Sequence, residues 1–280
     1  MQTIFILGAG TMGLDIAQVM LAAGKDVVVG DVSEEILQNA ENRLRKNLAK
    51  RVEKGKMSEE QKNAQLLRAA FTTEPGMAAA ADLAIEAVRE DIGVKRAVFA
   101  ELDQICKPEC LLATNTSSLS ITEIASATNR PERCVGMHFF NPATVMKLVE
   151  IIRGAKTSDE TYQKTEALCK EIGKEPVLVS EAPGFVVNRL LIPMINEACC
   201  LVENGVASAE AVDAAMKLGV NHPMGPLALG DLIGLDVCLA IMDSLYEETR
   251  DPKFRASLLL RKMTRAGLLG RKTGKGFYAY

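Results

Sequence analysis

Short apolar runs alternate with longer amphipathic stretches through the first two thirds of this chain, and the last third has a helical pattern throughout. Residues 4–7 form the first run, β-branched enough for a buried strand. Ile16, Ala17, Met20 and Leu21 then share one helical face, and Gly24 stops that helix. Residues 27–30 predict a second buried strand. Ser33 is a good N-cap for a long helix from Glu34, whose stripe is Ile36, Leu37, Ala40, Leu44, Leu48 and Val52, with Gly55 after its end. Residues 58–61 read as a capping box opening another helix to about Ala70. Further strands are predicted at 82–88, 110–114, 133–137, 145–152 and 176–180, with helices capped by Asp91 and over 157–173. Strands alternating with helices predict an α/β fold with a mostly parallel sheet, interrupted by a helical hairpin over about 34–70.

Residues 181–184, Glu-Ala-Pro-Gly, are the best linker in the chain. They divide it into an expected nucleotide-binding domain, 1–182, and an all-helical domain, 183–280. Helices are predicted over 185–205, kinked by Pro193, and over 208–218, 231–250 and 258–266. Residues 221–226 form a rigid turn in which His222 is expected to be structural. These mostly apolar helices carry more hydrophobic surface than so small a domain can hide, so a homodimer through this domain is expected.

The richest chemistry lies between the first strand and its helix. Gly8-Ala9-Gly10-Thr11-Met12-Gly13 fits G-x-G-x-x-G and has a strand before it, a helix after it and a second strand beyond, with Asp31 eighteen residues past Gly13. A plain βαβ unit with a glycine turn would need fewer of these matches. Gly8 permits the tight turn, Gly10 lets backbone approach a pyrophosphate, and Gly13 allows close helix–strand packing. The helix N-terminus offers N–H groups to the phosphates. Asp31 can accept from ribose hydroxyls and would repel a 2′-phosphate, and Val32 and Ser33 supply no arginine to offset that. NAD(H) is therefore expected over NADP(H).

Composition removes other classes. The chain has 280 residues and a formal net charge of −3, so no bulk attraction to nucleic acid or membrane is implied. No stretch is apolar enough to span a bilayer. A first strand beginning at Thr3 leaves no room for a targeting segment, so a cytoplasmic location is expected. Seven cysteines without C-x-x-C and only two histidines suggest reduced thiols and no metal site.

Open α/β sheets bind ligands at the carboxyl ends of their strands. Three features fall there: Glu90, the polar cluster Asn115, Thr116, Ser117 and Ser118, and His138. Glu150 interrupts the apolar strand 145–152, and a buried carboxylate is costly unless paired. On a neighbouring strand it can accept the imidazole N–H of His138 and fix its tautomer. Such a pair suits a dehydrogenase, whose imidazole takes the hydroxyl proton as hydride leaves for a nicotinamide. Arg43, Arg45, Lys46, Lys50, Arg51, Lys54 and Lys56 make the hairpin the most basic stretch, able to hold a phosphorylated substrate or simply to form a solvated face.

With GAGTMG, EAVRED, ATNTSSLSI, GMHFFNPATVMKLVEI, EAPGFVVNRLL, MKLGVNHPMGPLALGDLIGLD and GRKTGKGFYAY on one chain, the sequence resembles the short-chain 3-hydroxyacyl-CoA dehydrogenases over essentially its whole length, most closely the bacterial 3-hydroxybutyryl-CoA dehydrogenases. The resemblance implies a Rossmann domain followed by an all-helical dimerising domain, and NAD-linked interconversion of 3-hydroxyacyl-CoA and 3-ketoacyl-CoA. It puts the catalytic histidine on His138, its paired glutamate on Glu150, and substrate contacts on Ser117 and Asn188. It puts NAD contacts on the glycine loop, Asp31, Glu90, Lys95, Asn115, Ser117, Asn141 and Lys272. The hairpin would hold coenzyme A, with Lys54 matching a contacting lysine and Asn47 standing where some members have a serine, and Ser117 would also contact the CoA substrate. The linker reads Glu181-Ala182-Pro183 where other members have an aspartate or threonine before the proline, a change expected to be neutral.

Two rivals share the glycine fingerprint. Lysine-dependent 3-hydroxyacid dehydrogenases need a lysine on the first helix after the linker, and none lies between Glu181 and Asn204. A non-catalytic NAD-binding relative would be expected to have lost part of the Ser117, His138, Glu150 and Asn188 set, and all four are present.

Overall fold

A computed structural model describes residues 1–280. The chain forms two compact units, Met1–Glu181 and Ala182–Tyr280. The first runs β1 (Thr3–Leu7), α1 (Thr11–Ala22), β2 (Asp26–Gly30), α2 (Glu34–Glu53), α3 (Glu59–Leu67), β3 (Ala69–Thr72), β4 (Leu83–Glu86), α4 (Ile92–Ile105), β5 (Leu111–Thr114), α5 (Ile121–Ala125), β6 (Cys134–Phe139), β7 (Leu148–Arg153), α6 (Asp159–Glu171) and β8 (Glu175–Ser180). The strands form one eight-stranded sheet in the order β3-β2-β1-β4-β5-β6-β7-β8. Every neighbouring pair is parallel except β6 with β7.

The apolar runs explain why both faces of this sheet are covered. Side chains alternate across a strand. Ile4 and Ile6 of β1 join one buried cluster with Val27, Ile85, Leu14 of α1 and Leu44 of α2. Phe5, between them, joins the other with Ala84, Leu112 and Phe99 of α4. A strand apolar at every position thus needs helices on both sides, as a doubly wound fold supplies. The chain leaves β1 toward β2 and β3 and later returns to lay β4 on its other side. This reversal opens a crevice beyond the carboxyl ends of β1 and β4, where such sheets bind ligands.

Two boundaries differ from expectation for physical reasons. The helix opened by Ser58 stops at Leu67, and Ala69–Thr72 pairs in parallel with β2 as an edge strand. None of its four residues is buried, so burial imposed no apolar pattern on it. The helix expected over 231–250 is two helices. In the second unit α7 (Val187–Glu203) and α8 (Ala209–Gly219) precede α9 (Pro226–Ile233), α10 (Leu235–Thr249) and α11 (Leu258–Arg265). Gly234 breaks the run at φ +106°, a conformation a side chain would strain. Pro226 opens α9 at its first turn, where a missing N–H costs nothing. The second unit buries its own core of Ile192, Ile195, Leu227, Leu235, Cys238, Met242 and Leu260. No helix is long and apolar enough to cross a membrane, and all seven cysteines are free thiols.

Candidate active site

The glycine loop shows what each of its residues is for. Gly8 has φ +107°, and a Cβ there would lie 2.5 Å from the Ala87 carbonyl oxygen. A Cβ on Gly13 would lie 1.8 Å from the Gly8 oxygen, so helix and loop pack at glycine distance. A Cβ on Gly10 would meet nothing within 4 Å: this is open space at the mouth of α1. Ser33, Ser58, Asp91, Ser120 and Ser158 cap the other α-helices of this unit, whereas α1 has no side-chain cap. An uncapped helix N-terminus behind an open glycine fits a pyrophosphate. Asp31 Oδ2 accepts the Ala9 N–H at 2.8 Å, which fixes the carboxylate at the end of β2 beside the loop. Arg43 of α2 donates to the Gly10 carbonyl at 3.1 Å.

A second cluster lies beyond β4 and β5. Lys95 of α4 is buried, with its Nζ 2.6 Å from Glu86 Oε1 and 3.2 Å from Glu90 Oε2. Glu86 is fully buried at the end of β4 and also accepts from Thr114 Oγ1 at 2.8 Å and the Val88 N–H at 2.7 Å. Glu90 Oε1 accepts from Thr116 Oγ1 at 2.5 Å and from the Ser117 N–H and Oγ at 2.8 and 3.2 Å. Burial works to raise the Glu90 pKa, but Lys95 and the bonds from Thr116 and Ser117 outweigh it and hold the carboxyl below its ordinary value. Ser117 is thereby fixed by an ionised carboxylate that is itself held by Lys95.

The third cluster crosses the antiparallel junction. His138 of β6 and Glu150 of β7 are directly opposite in register, and His138 Nδ1 lies 2.8 Å from Glu150 Oε2. Their exposures are 6 % and 1 %, so the pair is shielded from water. Phe140 packs against the imidazole with ring centroids 4.4 Å apart. Asn115, at the end of β5, accepts the Phe139 N–H through Oδ1 at 2.9 Å, tying the polar cluster to the strand that carries His138.

Comparison with known proteins sets this geometry in a family. Residues 3–182 match the family model described as 3-hydroxyacyl-CoA dehydrogenase, NAD binding domain, and residues 184–280 match its C-terminal domain. The chain belongs to the 3-hydroxyacyl-CoA dehydrogenase family. It is 54% identical over 275 residues to a 3-hydroxybutyryl-CoA dehydrogenase of Clostridioides difficile, covering 98% of both chains. A 3-hydroxybutyryl-CoA dehydrogenase of Bradyrhizobium diazoefficiens is 48% identical, over 98% of this chain and 94% of that one. A crystal structure of (S)-3-hydroxybutyryl-CoA dehydrogenase from Ralstonia eutropha superposes with a TM-score of 0.96 at 48% identity, over 100% of this chain and 99% of that one. As a 3-hydroxyacyl-CoA dehydrogenase the chain is an NAD-dependent oxidoreductase with a Rossmann-type domain and a helical C-terminal domain.

Within the first unit of this dehydrogenase, the glycine loop, Asp31, Glu90, Lys95, Asn115, Ser117, His138 and Glu150 fall into the three clusters above, and Asn141, Lys54 and Asn47 lie outside them. Asn141 lies in the exposed loop after β6. Lys54 is the exposed C-cap of α2, and Asn47 donates through Nδ2 to Gln18 Oε1 at 3.2 Å. In the second unit, Asn188 is in the first turn of α7, and Lys272 pairs with Asp236 through a 2.6 Å hydrogen bond. Glu86 and Arg43 were not anticipated as site residues. Glu86 gave a usable signal, since it ends an otherwise apolar strand as Glu150 interrupts one.

Proposed function

We propose that the chain interconverts 3-hydroxybutyryl-CoA and acetoacetyl-CoA with NAD(H), using His138 as general acid and base. The observation that carries this reading is the shielded His138–Glu150 pair at the carboxyl edge of a dinucleotide-binding sheet. Glu150 accepts from Nδ1, which fixes the tautomer and assigns proton exchange to Nε2. In the reducing direction the imidazolium gives its Nε2 proton to the C3 oxygen and becomes neutral. In the oxidising direction it takes that proton back. Glu150 steadies the charged form and holds the ring in place through both steps. Bound NADH supplies the hydride that reduces C3. Ser117, whose N–H is held by Glu90, would turn its hydroxyl from Glu90 to that same oxygen as negative charge develops.

The glycine loop, Asp31, Glu90, Lys95, Asn115, Asn141 and Lys272 are the proposed NAD contacts. Coenzyme A is assigned to the hairpin, where Lys46, Lys50 and Lys54 recur every four residues on one exposed stripe of α2. Its phosphates would meet that stripe. The homodimer expected from the sequence is placed on the second unit, where Leu190, Leu218 and Leu258 are exposed at 70%, 87% and 74%.

The test is NADH oxidation with acetoacetyl-CoA, run beside NADPH, free acetoacetate and longer 3-ketoacyl-CoA esters. Fast turnover with NADH and the short CoA ester is expected. A preference for NADPH would overturn the Asp31 argument. Equal use of free acetoacetate would remove the hairpin's role. A protein that binds NADH without turnover would be a non-catalytic relative. Asp31→Ser is expected to lower kcat/KM with NADH by about tenfold or more, the worth of a hydrogen bond to a charged group, and to narrow the gap to NADPH.

A further inference from the structure

We propose that Lys174 is a positioning residue: it clamps the loop 140–147, which carries Asn141 and joins the strands of His138 and Glu150, by donating to two carbonyls of that loop. The inference rests on the reading of this site as the nicotinamide end of a dehydrogenase.

The loop is exposed at Asn141, Pro142 and every position from Thr144 to Lys147, yet Ala143 in its midst is 0% exposed. Exposed loops are ordinarily the mobile parts of a fold. Lys174, just before β8, is only 8% exposed, and its Nζ donates to Ala143 O at 2.5 Å and Met146 O at 2.7 Å. Both partners are carbonyls rather than carboxylates. A buried ammonium without a counter-charge is expensive, and burial pushes the Lys174 pKa down accordingly. A methionine would fill the same channel without that cost. What the ammonium adds is two charge-assisted hydrogen bonds aimed at one loop.

Ala143, the buried residue of the loop, is thus tied to Lys174 through its C=O. Within the loop, the Val145 and Met146 N–H groups both reach Pro142 O at 3.0 Å, so the backbone around Asn141 closes on itself. Releasing Lys174 would free Asn141 and the ends of β6 and β7. It would leave the glycine loop and Asp31, the adenosine end, in place.

That asymmetry supplies the test. In Lys174→Met, NADH affinity is expected to fall about tenfold, the worth of losing charge-assisted hydrogen bonds, while ADP-ribose affinity changes less than about twofold. Amide hydrogen exchange should accelerate over 140–147, and kcat should fall more than KM for the CoA ester rises. Lys174→Arg, which keeps charge and donors, should recover most of the NADH affinity. Equal weakening of NADH and ADP-ribose, or unchanged NADH affinity, would overturn the proposal. The wild-type protein decides the matter even where a variant does not fold: its Val145 and Met146 amides must exchange far more slowly than in an unstructured peptide, and fast exchange refutes the clamp. Absence of turnover with acetoacetyl-CoA would refute the substrate reading alone, since binding and exchange are measured without it.

Discussion

His138→Gln is expected to slow acetoacetyl-CoA reduction by roughly 10²–10⁴-fold, the usual worth of a positioned general acid, while NADH still binds. Glutamine keeps a polar group beside Glu150 Oε2, so the buried carboxylate is not orphaned and the fold should hold. It cannot carry a proton to the C3 oxygen. Glu150→Gln tests the same unit from the other side. The amide can still orient the ring, but it removes the negative charge that steadies imidazolium. A loss of similar order is expected, with the double variant little worse than either single one, because residues acting as one device are not additive. Near-normal turnover from a folded His138→Gln protein would sink the assignment.

The second large effect is on stability. Lys95 and Glu86 have side chains 1% and 0% exposed, 2.6 Å apart. Removing one partner leaves the other as an unpaired buried charge, which typically costs about 3–5 kcal/mol. Lys95→Met should therefore destabilise the first unit by about that amount in urea unfolding followed by circular dichroism. It should also loosen Glu90 and, through it, Ser117. Adding Glu86→Leu removes the orphaned carboxylate and should recover much of the loss, although Thr114 then loses its acceptor. If Lys95→Met alone costs no more than an exposed ion pair, about 0–1 kcal/mol, the pair is not a pillar of this unit.

These two pairs also mark how much the sequence disclosed. Wherever burial forces a pattern, the pattern was legible: β1 apolar from Ile4 to Leu7, the glycine loop, and Glu150 standing out in an apolar strand. Glu86 carried the same signal inside the run 82–88, but no partner for it shows in the local pattern, since Lys95 lies a helix away. The edge strand β3 was hidden because none of its residues is fully buried, and α9 merged with α10 because Gly234 is visible only as composition until its φ is known. Lys174 left no trace at all. A lysine beside a glycine at a helix end looks like a solvated charge, and only the fold folds its stem inward onto Ala143. Contacts between elements distant in the chain follow from packing, which local pattern does not encode.

The reversal of direction between β6 and β7 fixes a rule of parity. Facing residues of an antiparallel pair meet on one side of the sheet only while each strand keeps its count, and an odd change turns every later side chain over. One residue inserted between Leu148 and Glu150 would send the carboxylate to the far face, away from His138. The same residue inserted among 141–147 would leave that facing intact, although it would displace the carbonyls that Lys174 holds. The number of residues separating histidine from glutamate is therefore no signature of this chemistry. Their pairing belongs to the strands, and its parity does not depend on the length of the connection.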